Sequence, residues 1–149
     1  STEGENAQDV ADAIRDIVQD HAGVFRTTEL LEKGVKEILA IEPRVRNILL
    51  KDKSKVVNTA RVEALEVENL YEVAKATLIS AAARKECRGA HTVVDFELPP
   101  DHPTYSYGRR DDEWMKHTLW FSSDNRLEYK PVRYKPLSVQ AIPPKPRTF

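Results

Sequence analysis

Glycine is scarce in this sequence. Only 5 of the 149 residues are glycine, against an average of about 7%. No Gly-x-Gly-x-x-Gly or Gly-x-x-x-x-Gly-Lys run occurs. Those glycines let a backbone approach a phosphate closely, so a self-contained nucleotide site of the common types is not expected. Cysteine is scarcer still. Cys87 stands alone, which rules out an internal disulfide and suits a reducing compartment. No stretch approaches the ~20 apolar residues of a membrane span. No N-terminal run of basic, apolar and small residues reads as a secretion signal. An excess of one charge is missing too. There are 23 basic and 24 acidic side chains, for a net charge of -1, so no overall cationic field recruits nucleic acid or anionic lipid.

What is present fits one soluble globular domain with a tail. Hydrophobic residues make up 40% and charged residues 32% of the chain, which argues against wholesale disorder. A chain of this length buries enough surface to need neither a metal nor a disulfide. Proline is uneven: Pro99, Pro100, Pro103, Pro131, Pro136, Pro143, Pro144 and Pro146 all fall in the last third, and only Pro43 precedes them. The chain starts at Ser1-Thr2 with no Met and shows no catalytic constellation, so a piece of a larger protein is expected.

The proline map divides the chain near Gly89. Before it the period is helical. Val10, Ile14, Ile17, Val18 and His21 share one face, with Asn6 as N-cap, Asp9 in the first turn and Gly23 as the stop. A second helix starts at Thr27 or Thr28, with Glu29 near its positive end. Leu30, Leu31, Val35, Ile38, Leu39, Ile41, Val45, Ile48 and Leu49 form its wide stripe. Pro43 inside that stripe predicts a kink or break. A third helix runs from about Asn58 to about Cys87, with Val62, Leu65, Leu70, Val73, Ala74, Leu78 and Ala81 as its apolar face. Arg84, Lys85 and Arg88 complement its negative end, and Gly89 suits the left-handed position after it. No helix buries its stripe alone, so residues 5–88 read as an antiparallel three-helix bundle.

Residues 89–149 read as an irregular, loop-rich and Pro-rich C-terminal arm. Pro99–Tyr107 is a loop, and Asp111–Met115 a single helical turn. His117–Ser122 and Leu127–Tyr134 pair as a short β-hairpin around Ser123-Asp124-Asn125. The tail from Lys135 to Phe149 is extended. The fold class is thus mainly α, in one 149-residue domain. Residues 1–25 carry a net of five negative charges, and residues 126–149 a net of five positive. The tail therefore either docks on an acidic partner or folds back on its own first helix.

Few residues can carry chemistry. Cys87 and His91 would share a metal only if helix continued through Gly89, and no second pair completes a ligand set, so no metal site is expected. Arg84, Lys85 and Arg88 would lower the Cys87 pKa, yet a lone cysteine at a helix end reads as a packing residue. His21 reads as a core histidine. His102 joins no cluster. His117, beside Trp114 and Trp120, reads as part of an aromatic cluster anchoring the tail. Basic residues interleaved with aromatics over Arg126–Tyr134 superficially suggest nucleic acid; the prolines and the acidic first half count against it. The densest stretch is Arg84-Lys85-Glu86-Cys87-Arg88-Gly89-Ala90-His91, whose arginines can bond carboxylates and carbonyls of a neighbouring domain or cap their own helix.

That stretch resembles the Arg-x-Glu-Ser-Arg-Gly-Ala-His segment of succinate dehydrogenase and fumarate reductase flavoprotein subunits. L-aspartate oxidase carries a related segment. Upstream, Asn58-Thr59, Arg61-Val62-Glu63, Leu65-Glu66 and Asn69-Leu70 are similar to the family's third helix. Downstream, Asp111 to Leu119 resembles its acidic turn with Trp and His-Thr-Leu, and Pro143-Pro144-x-x-Arg147-x-Phe149 its C-terminus. The last two favour succinate dehydrogenase. Cys87 in place of a serine, Arg110 where the family often has an acid, and Pro43 in the second helix are departures.

The resemblance implies the C-terminal helical domain of a flavoprotein about four times as long. It implies FAD, held covalently on an upstream histidine, and succinate oxidation with electrons passing through an iron–sulfur subunit to quinone. The implied partners are the upstream flavin-binding domain, the iron–sulfur subunit and membrane anchor subunits. The implied location is the cytoplasmic face of the inner membrane in a bacterium. None of the family's cofactor or catalytic motifs is here, so no catalytic, FAD-binding or metal residue is expected in this chain. Arg61, Arg84, Glu86, Arg88, His91, Trp114 and His117 are expected as interdomain contacts. The alternatives are the matching domain of fumarate reductase or L-aspartate oxidase, or a free-standing helical adaptor for an acidic partner.

Overall fold

The computed structural model describes residues 4–48, 56–102 and 108–144. Helix α1 spans Ala7–His21. The Asn6 carboxamide starts it by accepting from the Gln8 and Asp9 amides at 2.8 and 3.3 Å, which satisfies two donors the helix itself cannot pair. Strand β1 is Phe25–Arg26 and helix α2 is Thr28–Ala40. The Thr27 hydroxyl caps α2 through the Leu30 amide at 3.1 Å. A distant carboxylate, Asp95, takes the Thr28 amide at 2.8 Å.

Pro43 does break the second helix. Helix α3, Glu42–Arg46, restarts with the proline in its first turn, where a missing amide costs nothing. Helix α4 runs Thr59–Ala83, about 37 Å at 1.5 Å per residue, and Asn58 caps it through the Arg61 amide at 3.0 Å. The Leu49 end of the predicted second stripe lies outside the described residues.

The three long helices pack on one another as expected. Val10, Ile14, Leu31, Ile38 and Leu78 are fully or nearly fully buried, and α3 adds Val45. Each such side chain contributes about 1.5–3 kcal/mol of burial. Gly34 is where the bundle closes most tightly. A Cβ there would sit 2.5 Å from the His21 Cβ and 2.9 Å from a Leu78 methyl. His21 is indeed a core residue: its Nδ1 lies 2.8 Å from the Ile17 carbonyl.

Two expectations for α4 need correction. Its apolar positions do not form one stripe. Val67, Tyr71, Ala74, Leu78 and Ala81 face inward, whereas Val62, Leu65 and Val73 are 53%, 51% and 65% exposed. The helix also stops at Ala83, four residues before Cys87, because Arg84 is extended and its side chain is pulled into a separate network. Arg84, Lys85 and Arg88 are therefore not last-turn charges. Gly89 is left-handed, at φ 59°, but it serves a tight turn in which Arg88 and His91 exchange backbone bonds at 2.9 and 3.0 Å.

Beyond α4 the chain returns to the bundle. Strand β2, Thr92–Val93, pairs in parallel with β1 in the register Phe25↔Thr92 and Arg26↔Val93. A 3₁₀ turn, Val94–Phe96, follows and carries the capping Asp95. Helix α5, Asp111–Trp114, is the expected single turn. Strands β3, Lys116–Phe121, and β4, Arg126–Pro131, form the expected antiparallel hairpin in the register Lys116↔Pro131 to Phe121↔Arg126. Asn125, at φ 57°, supplies the left-handed residue of its turn. Strand β4 ends three residues earlier than Tyr134, at a proline that cannot donate to the ladder. The hairpin seats on α4 through Lys75, whose ammonium lies 4.9 Å from the Tyr71 ring and 5.5 Å from the Trp120 ring.

The tail over 135–144 has no helix or strand, and Leu137 and Ile142 are exposed. Among the described residues no ion pair joins it to α1; the remaining tail charges, Lys145 and Arg147, lie outside those residues. No helix among the described residues is long and apolar enough to cross a membrane.

Candidate functional site

The site grows from the point where α4 ends. Arg84 leaves the helix in an extended conformation, so its guanidinium reaches across to the hairpin. It donates to the Trp114 carbonyl at 3.1 Å, the Lys116 carbonyl at 2.6 Å and the Thr118 hydroxyl at 3.1 Å. It also donates to Glu86 at 2.7 Å and stacks 5.2 Å from the centre of the Trp114 ring. One side chain thus joins α4, the turn after it and β3.

Glu86 has no solvent exposure at all. One carboxylate oxygen accepts from Arg84 and from Arg88 Nε at 2.7 Å. The other accepts from Arg88 Nη2 at 3.1 Å and from the Arg110 amide at 2.9 Å. A buried carboxylate is tolerable only when its lone pairs are filled in this way. Arg88 continues the chain of charges to Asp111 at 2.6 Å, and Arg109 holds the other Asp111 oxygen at 2.6 Å. Partial burial pushes the Asp111 carboxyl up, but the hydrogen bonds from Arg88 and Arg109 outweigh it. The group is held below the ordinary carboxylate value.

His91 closes the turn. Its Nδ1 lies 3.0 Å from Arg26 Nη1, and its Nε2 lies 3.1 Å from the Arg84 carbonyl. A guanidinium only donates and a carbonyl only accepts, so the partners assign the proton to Nε2 and the lone pair to Nδ1. Burial lowers the ring's pKa, the Arg84 carbonyl opposes that, and the nearby Arg26 and Arg84 charges lower it further. His91 is thus a neutral strut between β1 and the end of α4.

Cys87 is not activated. Its amide donates to the Gly108 carbonyl at 3.0 Å, and its sulfur sits 3.2 Å from the Val93 carbonyl. Burial pushes the thiol up, so the neighbouring cations do not lower it as the sequence suggested. The Arg84 and Arg88 guanidiniums are turned to Glu86, Asp111 and the hairpin instead. Cys87 and His91 bond different partners and do not converge on one point. Gly108 lets the chain pass: a Cβ there would lie 2.1 Å from the Phe96 carbonyl oxygen, and its φ is 82°.

Between the α4 end and β3 lies an open cleft of about 560 Å³. Arg26, Arg84, Arg88 and Lys116 line it, together with His91 and His117, and among the described residues no carboxylate-bearing residue does. Trp114 forms part of the wall. It is 6% exposed, it meets Tyr129 edge-on at 5.9 Å, and its indole N–H has no partner among the described residues.

The structure therefore gathers five of the expected contact residues, Arg84, Glu86, Arg88, His91 and Trp114. His117 is exposed on β3, opposite Lys130, at the cleft wall. Arg61 does not join them. It sits exposed in the first turn of α4, about 35 Å of helix away from Arg84. Arg26 and Asp111 belong to the site and were not singled out from sequence. Asp111 was visible only as part of an acidic turn. Arg26 gave no signal, because it stands in the break between two helices and meets His91 across 65 positions.

The cleft does not fit a flavin dinucleotide. The glycines that can be placed serve packing and turns: Gly34 in the bundle, Gly108 at Phe96, Gly89 in its tight turn and Gly23 just after α1. None opens a strand-to-helix cradle for a pyrophosphate.

A family model described as fumarate reductase flavoprotein C-term matches residues 11–149. The succinate dehydrogenase flavoprotein subunit of Rickettsia bellii is 44% identical over 137 residues, covering 89% of this chain and 21% of that protein. The fumarate reductase flavoprotein subunit of Haemophilus influenzae is 32% identical over 133 residues, covering 87% and 20%. A solved E. coli quinol fumarate reductase FrdA chain superposes with a TM-score of 0.75 at 31% identity, covering 94% of this chain and 23% of that one. The chain thus spans about a fifth of the length of the curated relatives it matches. The match takes in α2, α3 and α4, the Arg84–His91 turn and the hairpin together. The chain belongs to the C-terminal domain family of succinate dehydrogenase and fumarate reductase flavoprotein subunits.

Proposed function

We propose that this chain is the structural C-terminal part of a flavoprotein subunit that oxidises succinate to fumarate. FAD is bound by the rest of the parent chain, and electrons leave through an iron–sulfur subunit to quinone. Membrane anchor subunits hold the complex, in a bacterium at the cytoplasmic face of the inner membrane. The 44% identity to a succinate dehydrogenase subunit, against 32% to a fumarate reductase subunit, supports this direction.

The observation that carries the structural role is the fully buried Glu86. A carboxylate bonded on both oxygens by two arginines and a backbone amide is in no position to exchange protons with a substrate. It holds the α4 end, the 84–91 turn and α5 in one piece. That piece presents Arg84, Arg88, His91, Trp114 and His117 to the flavin-binding part.

The test is to give the purified 149-residue chain FAD and succinate, alongside the full-length parent protein. Dye reduction and bound flavin are expected in the parent only. Either one in the chain alone would overturn the structural role.

A further inference from the structure

We infer that the cleft between the end of α4 and β3 is a socket for a carboxylate side chain presented by the flavin-binding part of the parent chain, with Arg26 and Arg88 as its donors. This rests on the reading above and specifies the chemistry of the contact.

Among the described residues the cleft walls carry Arg26, Arg84, Arg88 and Lys116 and no carboxylate; Glu86 and Asp111 behind the wall offset Arg84 and Arg88, and the charge left on Arg26 and Lys116 favours an anion. The donors are not all spent. Arg88 uses Nε and Nη2 on Glu86 and Asp111. Arg26 uses Nε on the Gly23 carbonyl at 2.9 Å and Nη1 on His91. Among the described residues, no hydrogen bond engages Arg88 Nη1 or Arg26 Nη2, which leaves two N–H groups on each. Both guanidiniums are already oriented by their other bonds, so an incoming carboxylate need not order them. One free Nη on each arginine gives a carboxylate a charge-assisted hydrogen bond from either side of the cleft.

The form of the cleft favours a protein side chain over a free small acid. Sites for small molecules enclose most of their ligand, and this one is open. Its flanks are apolar and exposed: Val24 and Phe25, directly before Arg26, are 75% and 74% exposed, and Val73, one helical turn before Thr77 on the cleft wall, is 65% exposed. Apolar contacts around a charged anchor keep water from it when a surface docks.

The experiment uses full-length, flavin-loaded parent protein carrying Arg26→Lys. A carbodiimide condenses an amine with a carboxylate in contact with it, forming an amide while the carbodiimide takes up the elements of water and leaves as its urea, and peptide mass spectrometry locates the bond. The expected result is a cross-link from the introduced lysine to an Asp or Glu outside these 149 residues. Replacing that acid by Ala should abolish the cross-link. Absence of any such cross-link, in protein that keeps wild-type flavin content and succinate-dependent dye reduction, overturns the socket and leaves the proposed function standing. A glutaryl adduct on the introduced lysine in place of the cross-link, when glutarate is added as a soluble probe, overturns it in favour of a small-acid site. If full-length protein without the substitution reduces no dye with succinate, the underlying reading falls as well.

Discussion

The two halves of the molecule are held by different forces. In the bundle of α1, α2 and α4 the contacts are apolar and close. Ile14, Ile38 and Leu78 have no exposure, and Gly34 admits His21 to within van der Waals contact. After Ala83 few large apolar side chains are fully buried, and a chain of charges replaces them: Arg84, Glu86, Arg88, Asp111 and Arg109. Apolar packing is non-directional and tolerates rearrangement if volume is kept. A buried ion network has one geometry and fails when one member leaves. The bundle is therefore suited to supplying stability, and the network to setting the shape of the cleft.

Removing the centre of the network is the sharpest way to break that contrast. Glu86→Ala leaves Arg84 and Arg88 without their shared acceptor, and the expected cost is about 3–5 kcal/mol. The urea midpoint reads it, and the fluorescence of Trp114, under Arg84, should move to the red. A loss below about 1 kcal/mol would mean that the network merely decorates a surface.

Gly34→Ala probes the other half. The new methyl collides with His21 and Leu78, and overpacking of this kind costs about 1–3 kcal/mol. Alanine's better helix propensity returns about 1 kcal/mol of it. Net destabilisation with an unchanged Trp114 spectrum is expected; net stabilisation would show that the helices can separate at no cost.

The smallest effect is a pH dependence at the seam. Arg26, Arg84 and Glu86 face His91, and burial first, then the two arginine charges, hold it below its ordinary value. Unfolded, it titrates near ~6.5. The stability tied to the neutral ring is therefore complete above that value and is lost as pH falls from there through the folded pKa. Melting temperature followed from pH 8 to pH 5 should fall more steeply for the wild type than for His91→Gln. Parallel curves would remove His91 from the seam.

Much of this was legible in the sequence, and the reasons differ by element. Helix starts are written within a residue or two: Asn6, one of Thr27 and Thr28, and one of Asn58 and Thr59 offered caps, and Asn6, Thr27 and Asn58 serve, because a short polar side chain satisfies orphan amides locally. Pro43 marked the α2–α3 break for an equally local reason. The hairpin was legible from its turn residues and alternation. The end of α4 was not. Nothing between Arg84 and Cys87 forbids helix; the chain leaves it because Arg84 finds the Trp114 and Lys116 carbonyls, 30 and 32 positions away. The inward face of α4 was not legible for a related reason. A period of 3.6 tells which residues share a side, but a helix that is apolar on two sides needs its neighbours to say which is inward.

The site divides along the same line. The Arg84–His91 stretch stood out by density alone, as did its resemblance to a flavoprotein family. Arg61, named from that resemblance, lies at the other end of α4, in its first turn. Arg26 and Asp111 became site residues only on folding.

By itself the sequence determined the helices, their caps, the break at Pro43, the hairpin and the family. All of these rest on residues within a few positions of one another, or on motifs read in order. Tertiary structure alone decided which α4 face is buried, where that helix stops, that Cys87 is quiet, and that Arg26 and Arg88 line one cleft. Those outcomes depend on contacts between distant segments, and no local periodicity encodes the position of a partner 20 or 65 residues away.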